Sequence, residues 1–188
     1  MLSQESTTNS KGGNIITTIK YPFDYFDAIN QGMVTKNILS PPIEKTTVLG
    51  ANTLSYTKTT YDLYSSKFYL PKKVESQYGT GSLITEMTFD SYDAEGNLLI
   101  YTPRNGLKTT LTYYGAADMG KINLLKTQTN NLGQVTTYDY IPLIGVNTIT
   151  DPNSRKLTYF YDTFNRLSNI KDNNQKIVKS YQYNFKNQ

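Results

Sequence analysis

Residues 161–175 read YDTFNRLSNIKDNNQ, and residues 92–106 read YDAEGNLLIYTPRNG in nearly the same register. In the second stretch Asp93 can accept a hydrogen bond from the backbone two residues on. Gly96 then supplies the positive φ that closes a three-residue hairpin loop with a bulge. In the first stretch Asp162 opens the same turn and Asn165, which tolerates the left-handed region, closes it. Tyr92 and Leu98 flank one turn, and Tyr161 and Leu167 flank the other.

The same signal recurs along the chain. NNLGQV places Asn130 first and Gly133 last, shortly before Tyr138. DPNSRK opens on Asp151, with Pro152 fixing φ for a type I turn. DNNQKI opens on Asp172, and PRNG ends on Gly106. Ser154 and Gln175 are poor left-handed residues, so those two turns are expected to take another form. Turns starting at 93 and 103, and at 151, 162 and 172, lie 10 or 11 residues apart. Turn signals at that interval require a strand that reverses each time.

The intervening segments alternate as strands do. Leu157, Tyr159 and Tyr161 share one parity, as do Tyr181, Tyr183 and Phe185. In MTFDSYD, Met87 and Phe89 agree but Tyr92 falls on the other parity, which predicts a β-bulge near Asp90 and Ser91. Composition points the same way: 17 Tyr, 7 Phe and 26 Thr favour pleated surfaces, and 18 Asn favour turns. The expected fold is all-β, a twisted antiparallel meander of about eight to ten strands. At most one short helix is expected, near residues 24–36, where Phe23, Phe26, Ile29 or Asn30, and Met33 recur at helical spacing after Pro22. Residues 1–13 read as a disordered lead-in without signal-peptide features. Residues 14–188 read as one domain whose clearest repeats span 85–188.

Chemistry is constrained by absence. The chain has no His and no Cys, which removes the usual general base, thiol catalysis, disulfides and the common zinc ligands. Asp93, Asp151, Asp162 and Asp172 are accounted for as turn residues, while Glu75, Glu86 and Glu95 share no spacing. GTGS, residues 79–82, precedes no helix pattern that would cradle a phosphate and reads as a loop. DAEGN has too few oxygen ligands for a calcium loop. No catalytic, metal or cofactor-binding residue is expected, and no cofactor. No apolar run reaches the roughly 18 residues of a membrane-spanning helix. Residues 152–188 carry seven Lys/Arg against two Asp/Glu, net +5. These cations are interspersed, as on the solvent face of a repeat, so no specific nucleic-acid partner is expected.

The pattern Tyr-Asp-x-x-Gly-(Asn/Arg)-Leu, with Asp-x-x-Gly about ten residues on, resembles the YD repeat of bacterial Rhs proteins. The best copy is TYFYDTFNRLSNIKDNNQ, where Tyr159, Tyr161, Asp162, Arg166 and Leu167 take the motif positions and Asn165 stands where the family usually has Gly. The resemblance covers residues 85–188 and fades before them. It implies long, spiralling strips of β-hairpins, which in large members close into a shell around a C-terminal toxin domain. It also implies an extracellular or cell-surface parent protein, of which this chain would be a fragment or a short member. The expected role is a non-catalytic structural module whose partners are neighbouring repeats of a longer chain or another protein. Self-association through open sheet edges is expected of the isolated chain. The alternatives are a glycan-binding module using a Tyr/Asn/Thr-rich sheet face, or part of a toxin-enclosing shell. Exposed tyrosines in a concave patch would favour the glycan.

Overall fold

The structure, a computed structural model, describes residues 3–184. Phe185 lies outside the described residues. Residues 1–107 and 108–188 form two compact units. A hairpin repeat has no common centre, because each strand leans on its immediate neighbours and contacts gather locally.

The first unit holds seven strands: β1 (Gln4–Thr8), β2 (Asn14–Lys20), β3 (Glu44–Leu49), β4 (Asn52–Tyr64), β5 (Phe68–Tyr78), β6 (Ile84–Tyr92) and β7 (Leu98–Pro103). Each pairs antiparallel with the next. The second unit repeats the plan with β8 (Thr109–Tyr113), β9 (Leu125–Thr129), β10 (Val135–Ile141), β11 (Gly145–Thr150), β12 (Lys156–Tyr161), β13 (Leu167–Lys171) and β14 (Ile177–Ser180). Both units are antiparallel meanders, as the turn spacing requires. The described strands number fourteen rather than eight to ten.

Part of the excess comes from the expected lead-in. Instead of disorder over 1–13, β1 pairs with β2 from Gln4↔Thr18 to Thr8↔Asn14. All five β1 residues are exposed, so the pairing rests on the backbone ladder and on the turn that closes it. There Asn9 Oδ1 accepts the Lys11 and Gly13 amides at 3.0 and 2.8 Å, and Gly12 takes φ +80°.

The one short helix expected near residues 24–36 is α1 (Ala28–Thr35), and a 3-10 turn (Pro22–Asp24) precedes it. Each is capped at its start by a carboxylate. Asp24 Oδ2 accepts the Tyr21 amide at 2.8 Å, and Asp27 Oδ1 accepts the Asn30 amide at 3.0 Å. The helical spacing of Phe23 and Phe26 therefore describes no buried stripe: both are exposed, whereas Met33 is fully buried. α1 ends in a Schellman motif, with Asn37 at φ +59°, its amide on Val34 and the Ile38 amide on Met33.

The buried apolar side chains of the first unit lie in this insertion between β2 and β3: Pro22 and Met33 are fully buried, and Tyr21 and Ile43 nearly so. Its exit is tied into the sheet by the Ile43 amide on Lys20 O and the Thr59 amide on Ile43 O, at 2.8 and 2.9 Å. Elsewhere most strand residues are half-buried. A sheet needs a second layer to bury a face fully.

Candidate functional site: a tyrosine and aspartate hairpin repeat

Six five-residue turns share one hydrogen-bond pattern. In the turn Asp162–Arg166 the Asp162 amide donates to Arg166 O at 2.8 Å and the Asn165 amide returns to Asp162 O at 3.0 Å. Asp162 Oδ1 takes the Phe164 and Arg166 amides at 2.8 and 3.0 Å. The Arg166 guanidinium closes on Oδ2 at 2.8 Å. Asp93, Asn130, Asp151 and Asp172 organise their turns identically through the backbone, as does Asn9, which the sequence reading missed. The fifth residue adds a side-chain clasp in four of them: Asn97, Gln134, Arg155 and Arg166.

Gly96, Gly133 and Asn165 sit at φ +89°, +75° and +59°, as the motif predicts. Ser154 and Gln175 take φ +62° in the same turn, although another form was expected there. The Asp151 carboxylate accepts three hydrogen bonds and that of Asp172 two, and with two backbone bonds in each turn they outweigh roughly 1 kcal/mol of left-handed strain. Pro152 occupies the second position of the Asp151 turn. Pro103–Gly106 is the exception: the Gly106 amide reaches Pro103 O, but no carboxylate opens the turn.

The electrostatics follow from these bonds. The Arg166 guanidinium and amide hold Asp162 below the ordinary carboxylate range, and the Arg155 amide does so for Asp151. At Asp93 burial pushes the carboxyl up, but the bonds from Asn97, Glu95 and Gly96 outweigh it and leave it lowered. These carboxylates are ionised acceptors already engaged by their own loops.

A second repeating device is a bulge opposite a tyrosine in the latter part of a strand. Tyr61 pairs with Pro71, Tyr92 with Leu98, Tyr113 with Leu125, Tyr140 with Val146 and Tyr161 with Leu167. In each case the register shifts immediately beyond, leaving one extra residue on the returning strand: Lys72, Leu99, Lys126, Asn147 and Ser168. The bulge predicted at Asp90 and Ser91 is present beside this series: Asp90 is the extra residue on β6 between Phe89↔Tyr101 and Ser91↔Ile100, next to the Leu99 bulge of β7. A bulge disrupts the ladder locally, and a tyrosine one repeat later caps the carbonyl beside it. Tyr92 Oη donates to Pro71 O at 2.6 Å, Tyr161 Oη to Val146 O at 2.8 Å, and Tyr183 Oη to Leu167 O at 2.9 Å. Burial raises the Tyr92 and Tyr161 hydroxyls above their ordinary values, with the nearby tyrosines adding to it. Tyr138 donates weakly to Gln128 at 3.4 Å and lends its own carbonyl to Tyr114 at 2.8 Å. Tyr159 is half-buried and pairs with Ile170 between β12 and β13.

Of the seventeen tyrosines, fourteen are half-buried, Tyr21 is buried, and Tyr78 and Tyr183 are exposed. Two exposed rings, one in each unit, do not make the stacked platform that a glycan face requires. A separate cluster joins Glu44, Tyr25 and Tyr56. Burial pushes Glu44 up, yet the tyrosine hydroxyls and the charges of Lys58 and Lys20, at 3.5 and 3.9 Å, leave it lowered. Burial and Glu44 together push Tyr56 up to about 12. Among the described residues, no three carboxylates converge as a metal site. Nor is any helix among the described residues long and apolar enough to cross a membrane.

No family model matches the chain, and no curated protein matches it. Solved structures of TcdB2-TccC3 assemblies are similar to it at low level. The crystal structure of TcdB2-TccC3-Cdc42 aligns with 96% of this chain and 14% of that chain, at 13% identity and TM-score 0.33. That of TcdB2-TccC3-TEV gives 98% and 14%, with the same identity and TM-score. A Photorhabdus luminescens Tc holotoxin pore gives 96% and 14%, at 12% identity and TM-score 0.24. The chain spans about one seventh of the length of these chains, and no function is carried over from them at this similarity.

Proposed function

We propose that the chain is a non-catalytic structural module of the YD-repeat kind, belonging to an exported surface or secreted protein. In that setting neighbouring repeats of a longer chain cover its half-buried faces, and a strip of sufficient length could wall off a toxin. The observation that carries this reading is the coupling of the two repeat devices. Turn carboxylates and motif tyrosines spend their hydrogen-bonding capacity on the protein's own backbone. Groups so committed hold a strip in shape and leave little to recognise a substrate.

A panel of glycans and hydrolase substrates tests this with the intact chain. Neither binding nor turnover is expected. A reproducible glycan hit abolished by replacing the exposed Tyr78 or Tyr183 would move the assignment to a carbohydrate-binding module. Hydrolytic turnover would defeat both. β1 and β14 expose every described residue, so light scattering over a concentration series reports on association through those edges.

A further inference from the structure

The second unit is polarised along its strands. In a meander the loops after β8, β10 and β12 emerge at one rim, and those after β9, β11 and β13 at the other. The first rim is tipped by Met119, Ile122, Leu143 and Phe164, which are 84%, 51%, 103% and 72% exposed. The opposite rim carries Leu132, Asn153 and Asn174 at the corresponding turn tips; its other exposed apolar residues, Val135, Leu157 and Ile177, stand behind the tips at the strand starts, with Lys156 and Lys176 beside them.

Leu143 is the telling residue. It stands at φ +63° with its whole side chain in water. A leucine there is strained without any packing return, and strain of this kind persists where function retains it. Behind the tips lies a second layer. Tyr114, Tyr140 and Tyr161 stand at the bases of the three loops, with Lys121, Lys126 and Arg166 among them. The rim is electrically quiet, since Lys121 pairs with Asp139 at 2.6 Å and Arg166 with Asp162 at 2.7 Å. Between the first two loops runs an apolar groove of about 560 Å³, lined by Ile122, Leu124, Tyr140, Leu143 and Val146 among others.

We propose that this rim docks on a lipid bilayer, with Met119, Ile122, Leu143 and Phe164 entering the acyl boundary and the tyrosines and cations at headgroup level. Apolar tips backed by tyrosine and then Lys/Arg follow the order of polarity across a membrane interface. Internal hydrogen bonds lower the number of backbone groups the tips carry into the interface: Ile144 donates to Ile141 O, Phe164 and Arg166 donate to Asp162, and Lys121 donates to Asp118 O. The cations are paired or stacked on rings, so the attraction is apolar rather than ionic. A zwitterionic surface should therefore suffice.

The chain has no tryptophan, so Phe164→Trp places a single reporter at the rim. Adding phosphatidylcholine vesicles should shift its emission to the blue, and brominated lipid should quench it. In flotation with the same vesicles the wild type should rise with the lipid, largely independent of salt. Leu143→Asn should raise the thermal midpoint, because Asn tolerates positive φ, yet lower vesicle partition on the order of tenfold. Leu132→Ser on the opposite rim should leave partition unchanged. Absence of flotation, or flotation unaffected by Leu143→Asn combined with Met119→Ser, would overturn the proposal. So would binding lost in salt but insensitive to the tips, which would assign it to the basic rim. A dimer in solution broken by Leu143→Asn would instead assign the rim to a second copy of this chain.

Discussion

The hydroxyl of Tyr161 donates at 2.8 Å to the carbonyl of Val146, the residue that pairs with Tyr140 one hairpin earlier. The bulge at Asn147 displaces the ladder beside that carbonyl, and the tyrosine restores its partner. Gly145 makes room for the arrangement, since a Cβ there would lie 2.6 Å from Tyr161 Oη. Tyr161→Phe should therefore cost about 1 kcal/mol, the net worth of one hydrogen bond plus part of the penalty for an orphaned carbonyl. Gly145→Ala should cost at least as much by pushing the ring away. Adding Tyr161→Phe to Gly145→Ala should cost less than the sum, because both disturb one contact. Strictly additive midpoints in chemical unfolding would disprove the coupling.

The left-handed slot of the turn makes a graded prediction. Gly96→Val and Gly133→Val should each lose about 1 kcal/mol or more, because a β-branched residue is strained at φ +89° and +75°. Position 96 should suffer further, as a Cβ there would already touch Phe68 at 3.4 Å. Ser154→Gly and Gln175→Gly should gain a few tenths of a kcal/mol, the relief of strain being partly offset by the freer unfolded chain. Asn165→Gly should be neutral or slightly stabilising. Thermal unfolding of the five variants would rank them, and Val variants as stable as the wild type would rule out the assigned turn.

These turns were legible because each is written in five consecutive residues. Asp93, Asp151 and Asp162 declare themselves without knowledge of any partner strand. Asn9 belongs to the same class, but its polar surroundings suggested disorder, since β1 is held by backbone pairing and not by buried side chains. Ser154 and Gln175 were misjudged on propensity alone, which their anchoring carboxylates override. The tyrosine ladder was illegible for a different reason. Whether Tyr161 meets Val146 depends on a register shift in a neighbouring strand, which no local pattern encodes. In the helical region, apolar spacing located the helix but concealed Asp27, the cap that starts it at Ala28.

Acid sensitivity should concentrate at Asp139. Hydrogen bonds from Lys121 at 2.6 Å and Asn147 at 2.9 Å lower its carboxyl from 3.8 to about 2. A carboxylate lowered on folding contributes stability that is complete above its unfolded pKa and disappears as pH falls through the folded one. The contribution should thus be intact near pH 5 and gone below about pH 2. Since the side chain is about one-third exposed, solvent screening limits it to on the order of 1 kcal/mol. Asp139→Asn should lower stability at neutral pH and flatten part of the decline between pH 5 and 2. The turn aspartates, lowered in the same sense, should preserve the remainder. A variant whose decline parallels the wild type throughout would show that Asp139 is not the responsible group.

Gly32 sets two effects against each other. It lies inside α1, where replacing glycine by alanine ordinarily gains about 1 kcal/mol of helix propensity. Yet a Cβ at this position would fall on the Tyr69 hydroxyl and lie 2.6 Å from its Cζ. Tyr69 belongs to β5, so the missing side chain lets the helix approach the sheet. Displacing a half-buried aromatic ring costs about 1–3 kcal/mol, the range of overpacked sites, and this should exceed the propensity gain. Gly32→Ala is therefore expected to lower the unfolding midpoint. In a background carrying Tyr69→Ala, whose own baseline is lower, the same substitution should raise it, because only propensity remains. The sign reversal is the measurement that matters. If Gly32→Ala stabilises both backgrounds, the helix does not rest against Tyr69, and its glycine needs another explanation.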